Sequence, residues 1–574
     1  MAIEPDSKAA RIKDLLRQCD GFDGDSVSQA REQALNYYFQ RERGDEVVGR
    51  STFVSGDVSA MVEATLAQMV EAFSSDRICD FDPLGPEDED QAQLESDAVQ
   101  HFVMGSENGL LEMMMAIKEA LLMRNAAVWV DAEEKTERIV SRKSSVSIEA
   151  LAELKSLPDV VNVEYDEENQ KATLVYEKTS KQFKLCSIPL TNFVYHSRWH
   201  TPIIDGIPVC AVRHITTRAE LVSMGIDKKK VDNLTEYNAD LVTEEQARKP
   251  RDSQYNASIA YDKSQELVEW YTVFVRQEAS NGIDEQRKIL FSYRDTVILK
   301  DEPCSFINVA TGVVIVNPHQ FIGISLFDKL KQNQDMRTQL RRALGDNLNA
   351  TTKNRIAGLD GVVNIDDATD PRVNNMIRVK STVPDVRAAL MALQVPDTSA
   401  NILANLESTA RERSEMGGAA LDLQTSQVQI GGDRMGSQGL DRAYSVAEQL
   451  TASMMKTIGV TLIRSVFLLA HKVLREYFDE PLPIKRNGKW ANVIPSEWPE
   501  RKSVTIKPGM SPGERTRRAS ALAQFLDAQM MLSDKGMDEV LVDVNGFNKA
   551  LLDWARLSEI QNPEQYLIDP ESER

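Results

Sequence analysis

Cysteine is sparse in this chain. Cys19, Cys79, Cys186, Cys210 and Cys304 are the five in 574 residues. Scattered and odd in number, they exclude a disulfide framework and fit a reducing compartment. Histidine is rarer in usable patterns. His196, His200, Cys210 and His214 give H-x3-H and C-x3-H spacings that can hold zinc, yet they fall in strand or loop context, where such pairs do not converge. Ordinary packing is the reading, and no metal or other cofactor is assigned. Basic charge is in deficit: 67 Lys and Arg against 88 Asp and Glu leave a net −21. That excludes a general nucleic-acid coat, because little of the surface would neutralise phosphate. It does not exclude a channel, since an acidic wall lets a polyanion slide. The start, MAIEPDSKAA, has no apolar core and reads as no secretory signal. Ile458 to Phe478 is the most apolar region, but Arg464, His471, Lys472 and Arg475 make it a buried helix rather than a bilayer span.

Enzyme signatures are missing too. Gly431 and Gly436 have the outer spacing of a phosphate-binding loop, but Ser437 occupies the lysine position and no buried strand precedes it. Asp88, Glu89 and Asp90 lie in an acidic run without EF-hand spacing, and read as a solvated helix start. No nucleophile–His–acid set stands out, so the chain is read as not an enzyme.

What is present is an α+β pattern in a chain too long for one core. Residues 1–125 read as helical. Val58, Met61, Val62, Leu66, Met69, Val70 and Phe73 form one stripe behind a cap at Asp57. Residues 126–323 read as β-rich. Ala126 to Val130 is a short strand, VVNVEY and KATLVYE form a hairpin, and 182–188, 207–213, 267–275 and 288–293 are further strands. Residues 227–263 are polar and read as an exposed excursion.

The organising stretch is 323–355. Leu326 and Leu330, then Leu340, Leu344 and Leu348, recur at four-residue spacing, with Ser325 as cap, and predict one long helix with a leucine stripe. Its polar side carries Lys329, Lys331, Arg337, Arg341, Arg342, Lys353 and Arg355 against Asp328, Asp335 and Asp346, a local reversal of the overall sign. A charge-balanced piece (356–396) follows, with Arg372, Arg378, Lys380 and Arg387 among its cations. Then come a second helix (397–416) and a Gly/Gln/Ser-rich loop (417–437) containing Gln424, Gln427, Gln429 and Arg434. Residues 438–510 give another long helix and a β segment with Trp490 and Trp498. Residues 511–574 are helical, with a stripe through Leu522, Phe525, Leu526 and Met530.

This order resembles the portal proteins of tailed bacteriophages, the head-to-tail connectors of the short-tailed type. The local wording carries the resemblance: RSTFVSGDVSAMVEATLAQMVEAF (50–73), GPEDEDQAQ (85–93), HFVMGSENGLLEMMMAIKEALLMRNAAVWV (101–130) and HTPIIDGIPVCAVRHITTRAELVSMGI (200–226). GISLFDKLKQNQDMRTQLRRALGDNLNA (323–350), GVVNIDDATDPRVNNMIRV (361–379) and GKWANVIPSEWPERKSVTIKPG (488–509) continue it, the last with Lys507-Pro508 where a Gly-Leu pair is more usual. Together these cover about residues 30 to 535.

The resemblance implies a wing (1–323), stem helices (324–355 and 397–416), a small α/β clip (356–396), a tunnel loop (417–437), a long wing helix with a β segment (438–510) and a helical crown (511–574). It implies a homo-oligomeric ring, normally of twelve subunits, at one vertex of the virion capsid, assembled in the host cytoplasm. Double-stranded DNA would pass through its channel. Partners would be the terminase large subunit, the major capsid protein, a tail adaptor or head-completion protein, and a scaffolding protein, with no membrane. The seven stem cations become candidate DNA contacts. Gln424, Gln427, Gln429 and Arg434 become tunnel-loop candidates, and Arg372, Arg378, Lys380 and Arg387 clip-docking candidates. The competing expectation is another connector or tail-adaptor ring component, although such proteins are usually smaller and lack two struts.

Overall fold

The helix Asp57–Phe73 illustrates how the body is built. Val58, Met61, Val62 and Met69 recur at helical spacing and are all fully buried. They meet helices Glu89–Met104 and Gly109–Met123 in one large core. The computed structural model describes residues 5–22, 25–74, 78–105, 108–144, 160–166, 171–237, 247–248, 262–278, 284–352, 355–358, 361–364, 366–367, 377–380, 385, 389–393, 396–418, 449–486, 489–506, 512–533 and 544–558.

Helices Pro5–Arg17 and Ser26–Tyr38 open the chain, with strand β1 (Cys19–Asp20) between them. Strand β2 is Cys79–Phe81. The β-rich part then supplies β3 (Ala126–Ser144), β4 (Val160–Asp166), β5 (Lys171–Ser187), β6 (Phe193–His196), β7 (Val209–Thr217), β8 (Leu267–Glu278), β9 (Asp284–Ser292), β10 (Val297–Pro303) and β11 (Val309–Gly312). Two sheets result, ordered β1-β6-β7-β8-β9-β10 and β11-β3-β5-β4. Every described ladder is antiparallel. The predicted hairpin pairs β4 with β5. The predicted short strand at 126–130 instead runs on to Ser144, because β5 offers it a partner from Val128 to Ser144.

Cys210 is buried in the main core, and His214 stacks on Trp270 at 4.3 Å between ring centroids. His214 is pushed down to about 4 by burial, then by Lys288 and Lys184. Most of the polar excursion lies outside the described residues, but Lys228–Asp232 is a short helix whose Val231 is buried.

The spine of the molecule is helix Gln449–Tyr477. It is long and apolar enough to cross a membrane by length and composition, but 67% of its most apolar window is buried. A π-helical turn, Gly459–Ile463, widens it beside β11. A Cβ on Gly312 would come within 2.7 Å of the Leu462 backbone nitrogen, so only glycine permits this approach. Past the spine, Arg501 is enclosed with Glu95: Nε donates to Oε2 at 2.6 Å and an Nη to Oε1 at 3.0 Å. Arg501 also pairs with Asp88, and His471 of the spine lies 3.2 Å from Glu95. The acidic run is therefore not simply a solvated helix start, because Asp88 faces a buried guanidinium. Burial would raise the Glu95 carboxyl, but hydrogen bonds from His471 and Arg501 outweigh it and hold it below the ordinary carboxylate range. Helices Pro512–Ser533 and Val544–Leu557 close the described chain. In the first of them Leu526 is buried while Phe525 and Met530 are exposed.

Candidate channel strut and its anchorage

The long helix is Leu326–Thr352. Arg355, predicted inside it, begins strand β12 (Arg355–Gly358), which pairs with β13 (Leu390–Leu393). A return helix, Ser399–Gly417, follows. Asn333 Nδ2 donates to the Thr409 carbonyl at 3.0 Å, Arg337 Nη1 to that of Leu406 at 3.0 Å, and Asn347 Nδ2 to that of Pro396 at 3.2 Å. Positions rise along one helix as they fall along the other, so the two run antiparallel.

The predicted leucine stripe is only half right. Leu326 and Leu330 are fully buried, whereas Leu348 is 50% exposed. Leu340 stands ten residues after Leu330, which at 3.6 residues per turn rotates it by roughly 80°. The positions that continue the buried face are Asn333, Gln334, Arg337 and Thr338. Gln334 accepts from the Val58 amide at 2.9 Å and donates to the Tyr37 carbonyl at 3.1 Å. Thr338 accepts from the Ser55 amide at 3.1 Å. The strut is thus tied to the body by buried hydrogen bonds at its root, and towards its far end the Ser51 amide still donates to Asp346 at 2.8 Å.

Two charged nodes fix that root. Ser325 caps the helix as predicted, its Oγ accepting from the Asp328 amide at 3.1 Å. Asp328 in turn receives Arg124 Nε at 2.8 Å and Nη2 at 2.7 Å. Burial raises the Asp328 carboxyl, but Arg124 and the Ser325 amide hold it below its ordinary value. At the second node Asp57, only 1% exposed, forms an ion pair with Arg337, whose Nε lies 2.9 Å away, and accepts from Arg413 Nη1 at 2.7 Å, while Ser55 Oγ donates at 2.5 Å. Asp57 was expected as a helix cap. Instead Gly56 holds that position, and the Asp57 carboxylate joins the strut, the return helix and the body.

The predicted cations separate accordingly. Arg337 is withdrawn as a DNA contact, because it is buried on Asp57. Arg342 is withdrawn on the same ground: Asp45 and Glu46 each hold it at 2.9 Å, and it donates to the Phe53 carbonyl. These acids belong to the same chain, not to a neighbouring stem. Lys331 Nζ donates to Gln33 Oε1 at 2.9 Å. Lys329 is half-buried, and Arg341 is exposed with its guanidinium 5.0 Å from the Phe53 ring. Arg378 is exposed and paired with Asp367 at 2.7 Å, and Lys380 is exposed. Lys353, Arg372, Arg387, Gln424, Gln427, Gln429 and Arg434 lie outside the described residues, and so does the Arg355 side chain. Among the described residues no three His, Cys, Asp or Glu side chains gather as a metal site.

Sequence reasoning missed the partners Arg124, Arg413 and Arg501. Their pairing depends on helices brought together across hundreds of residues, and only the apolar context of Asp57 hinted at a buried charge.

A packed body with a rooted pair of antiparallel helices fits a structural component, and the match along its sequence makes the chain a phage portal protein. The matching family model is described as Phage SU10 portal protein and covers residues 9–574, so the chain belongs to that family. The family is structural rather than enzymatic, and it implies a component of the capsid vertex. Comparison with curated proteins returned no match.

Proposed function

We propose that copies of this chain, twelve in the usual portal arrangement, close into a ring around a channel at one capsid vertex. Double-stranded DNA enters through the channel during packaging and leaves through it at ejection. The tips of the helix pair and the small piece between them dock first the terminase large subunit and later a tail adaptor or head-completion protein. The wing meets the major capsid protein and a scaffolding protein during assembly in the host cytoplasm. The family match over residues 9–574 carries this reading. The helix pair, buried at its root and less buried beyond it, supports it, since a strut in a ring needs one end fixed to its own subunit and flanks left for neighbours. Lys329, Lys331 and Arg341, with Lys353 and Arg355, are the remaining stem candidates for contact with the DNA backbone.

Negative-stain imaging of the purified full-length chain tests the proposal. Rings with an open centre and an axial stalk are expected. Monomers, or rings without a hole, would overturn it, and ATP turnover by the isolated chain would point to an enzyme.

A further inference from the structure

A cleft of about 180 Å³ lies where the spine helix passes β11 and the loop 203–205. Arg464 and Lys472 of the spine line it, joined by Lys502 from the segment after it. Among the described residues none of these three cations has a carboxylate partner or a hydrogen-bond acceptor, and Arg464 Nε is buried without one. In a chain at net −21, three cations left unpaired in one recess are a departure from the surrounding surface. The floor is apolar, with Leu468 from the spine.

The recess is built rather than incidental. Thr311 Oγ1 donates to the Pro202 carbonyl at 2.9 Å, fixing the opposite wall to β11. Trp199 Nε1 holds the Ile203 carbonyl at 2.9 Å, and the Ile207 amide holds that of Ile204 at 3.0 Å. Ser465 donates its only hydroxyl hydrogen to the Thr461 carbonyl at 2.6 Å, so it has none left for a ligand. Recognition in the cleft therefore falls to the cations. Asp205 on the far wall subtracts one charge, leaving a net +2. That balances a dianion. A protein carboxylate or a phosphodiester carries half as much.

We propose that this cleft binds a phosphate dianion, held by Arg464, Lys472 and Lys502. Inorganic phosphate and the terminal phosphate of a nucleic-acid strand share this chemistry. The guanidinium supplies directional donors and the two ammonium groups supply charge. Nothing in the proposed channel function calls for this site, and it stands or falls separately.

The test is thermal unfolding and calorimetric titration of the full-length protein with inorganic phosphate, at constant ionic strength made up with chloride. Phosphate is expected to raise the unfolding midpoint of the native chain, as any ligand of the folded state does. Lys502→Met, at an exposed position, is expected to weaken binding about tenfold, the size of one charge-assisted contact. Arg464→Met with Lys472→Met is expected to abolish it. No advantage of phosphate over chloride would overturn the proposal, and so would equal binding by the variants. Loss of ring assembly in Lys502→Met, with no phosphate binding by the native chain, would assign the cleft to an acidic side chain of a second copy and overturn it too. Competition by a 5′-phosphorylated oligonucleotide, but not its unphosphorylated form, would support the proposal with a strand end as the source. Competition by neither would support it with free phosphate.

Discussion

Two of the buried ionic nodes among the described residues are opposites. At one, a single carboxylate, Asp57, serves two guanidiniums, Arg337 and Arg413. At the other, a single guanidinium, Arg501, serves two carboxylates, Glu95 and Asp88. The first lies where two projecting helices meet the body. The second lies inside the body, against His471 and near Trp498. What differs is what remains when the central group is removed. Arg337 keeps the Leu406 carbonyl and the Thr409 hydroxyl as acceptors. Glu95, with none of its side chain exposed, would keep His471 and the Gln91 side-chain amide. The body node is therefore the costlier one to break, because the charge left behind is wholly enclosed, whereas the Arg337 and Arg413 side chains keep 6% and 10% exposure.

The largest expected effect follows directly. Arg501→Met leaves Glu95 buried beside Asp88 without its cation, and breaking such a pair from one side costs about 3–5 kcal/mol. Thermal or denaturant unfolding of the full-length protein checks this. A change under ~1 kcal/mol would mean that water reaches Glu95, and the node would lose its structural role.

Asp57→Asn should cost less, about 1.5–3 kcal/mol, since one acceptor oxygen and the Leu406 carbonyl remain. Its effect should also be local. Hydrogen exchange is expected to quicken in 326–340 and 405–417 while the core helix Gly109–Met123 stays protected. Uniform loss of protection would instead make Asp57 part of the body's global stability, and the contrast between the nodes would fail.

Acid should weaken both regions in one direction. The folded-state carboxyls of Glu95 and Asp328 are held below their ordinary values. Their stabilisation is complete above the unfolded values of about 4.3 and 3.9, and it is lost as pH falls through the lower folded values. Stability should begin to fall below about pH 6.5, where the unfolded chain protonates His214 and the buried ring does not, and the two carboxylates should steepen the fall below about 5. Arg124→Met should flatten the part of the acid slope that belongs to the strut root, and leave the body's part intact. An unchanged slope in that variant would remove Asp328 from the account.

How much of this was legible beforehand depends on the range of the interaction. Ser325, the helical stripe of 57–73 and the β4–β5 hairpin are local patterns, and the sequence alone located them. The strut was found, but its contact face was misread: Leu340, Leu344 and Leu348 look continuous with Leu326 and Leu330 until the ten-residue gap is converted to an angle. Of the seven stem cations, Arg337 and Arg342 were misassigned because composition cannot distinguish a solvated cation from one joined to Asp57 or Glu46 across nearly 300 residues of chain. The Arg464 cleft was likewise invisible. In sequence, Arg464 and Lys472 served only to argue against a bilayer span.

Arg341 and Arg342 make the finest test of that distinction, with the smallest effect on stability. They are adjacent, both basic and on the same helix, but only Arg342 is engaged by carboxylates. Arg341→Glu removes an exposed guanidinium resting on Phe53, so stability should change by no more than ~0.5 kcal/mol. Arg342→Glu puts a third acid beside Asp45 and Glu46 and should loosen 45–53 from the strut, seen as faster hydrogen exchange there. Under the channel proposal the order reverses for DNA. Arg341→Glu should lower packaging or retention in intact rings, because only Arg341 has a free cationic surface to present to phosphate. Equal packaging by Arg341→Glu and the native chain would take Arg341 off the list of contacts, leaving Lys329, Lys331, Lys353 and Arg355 as the stem candidates.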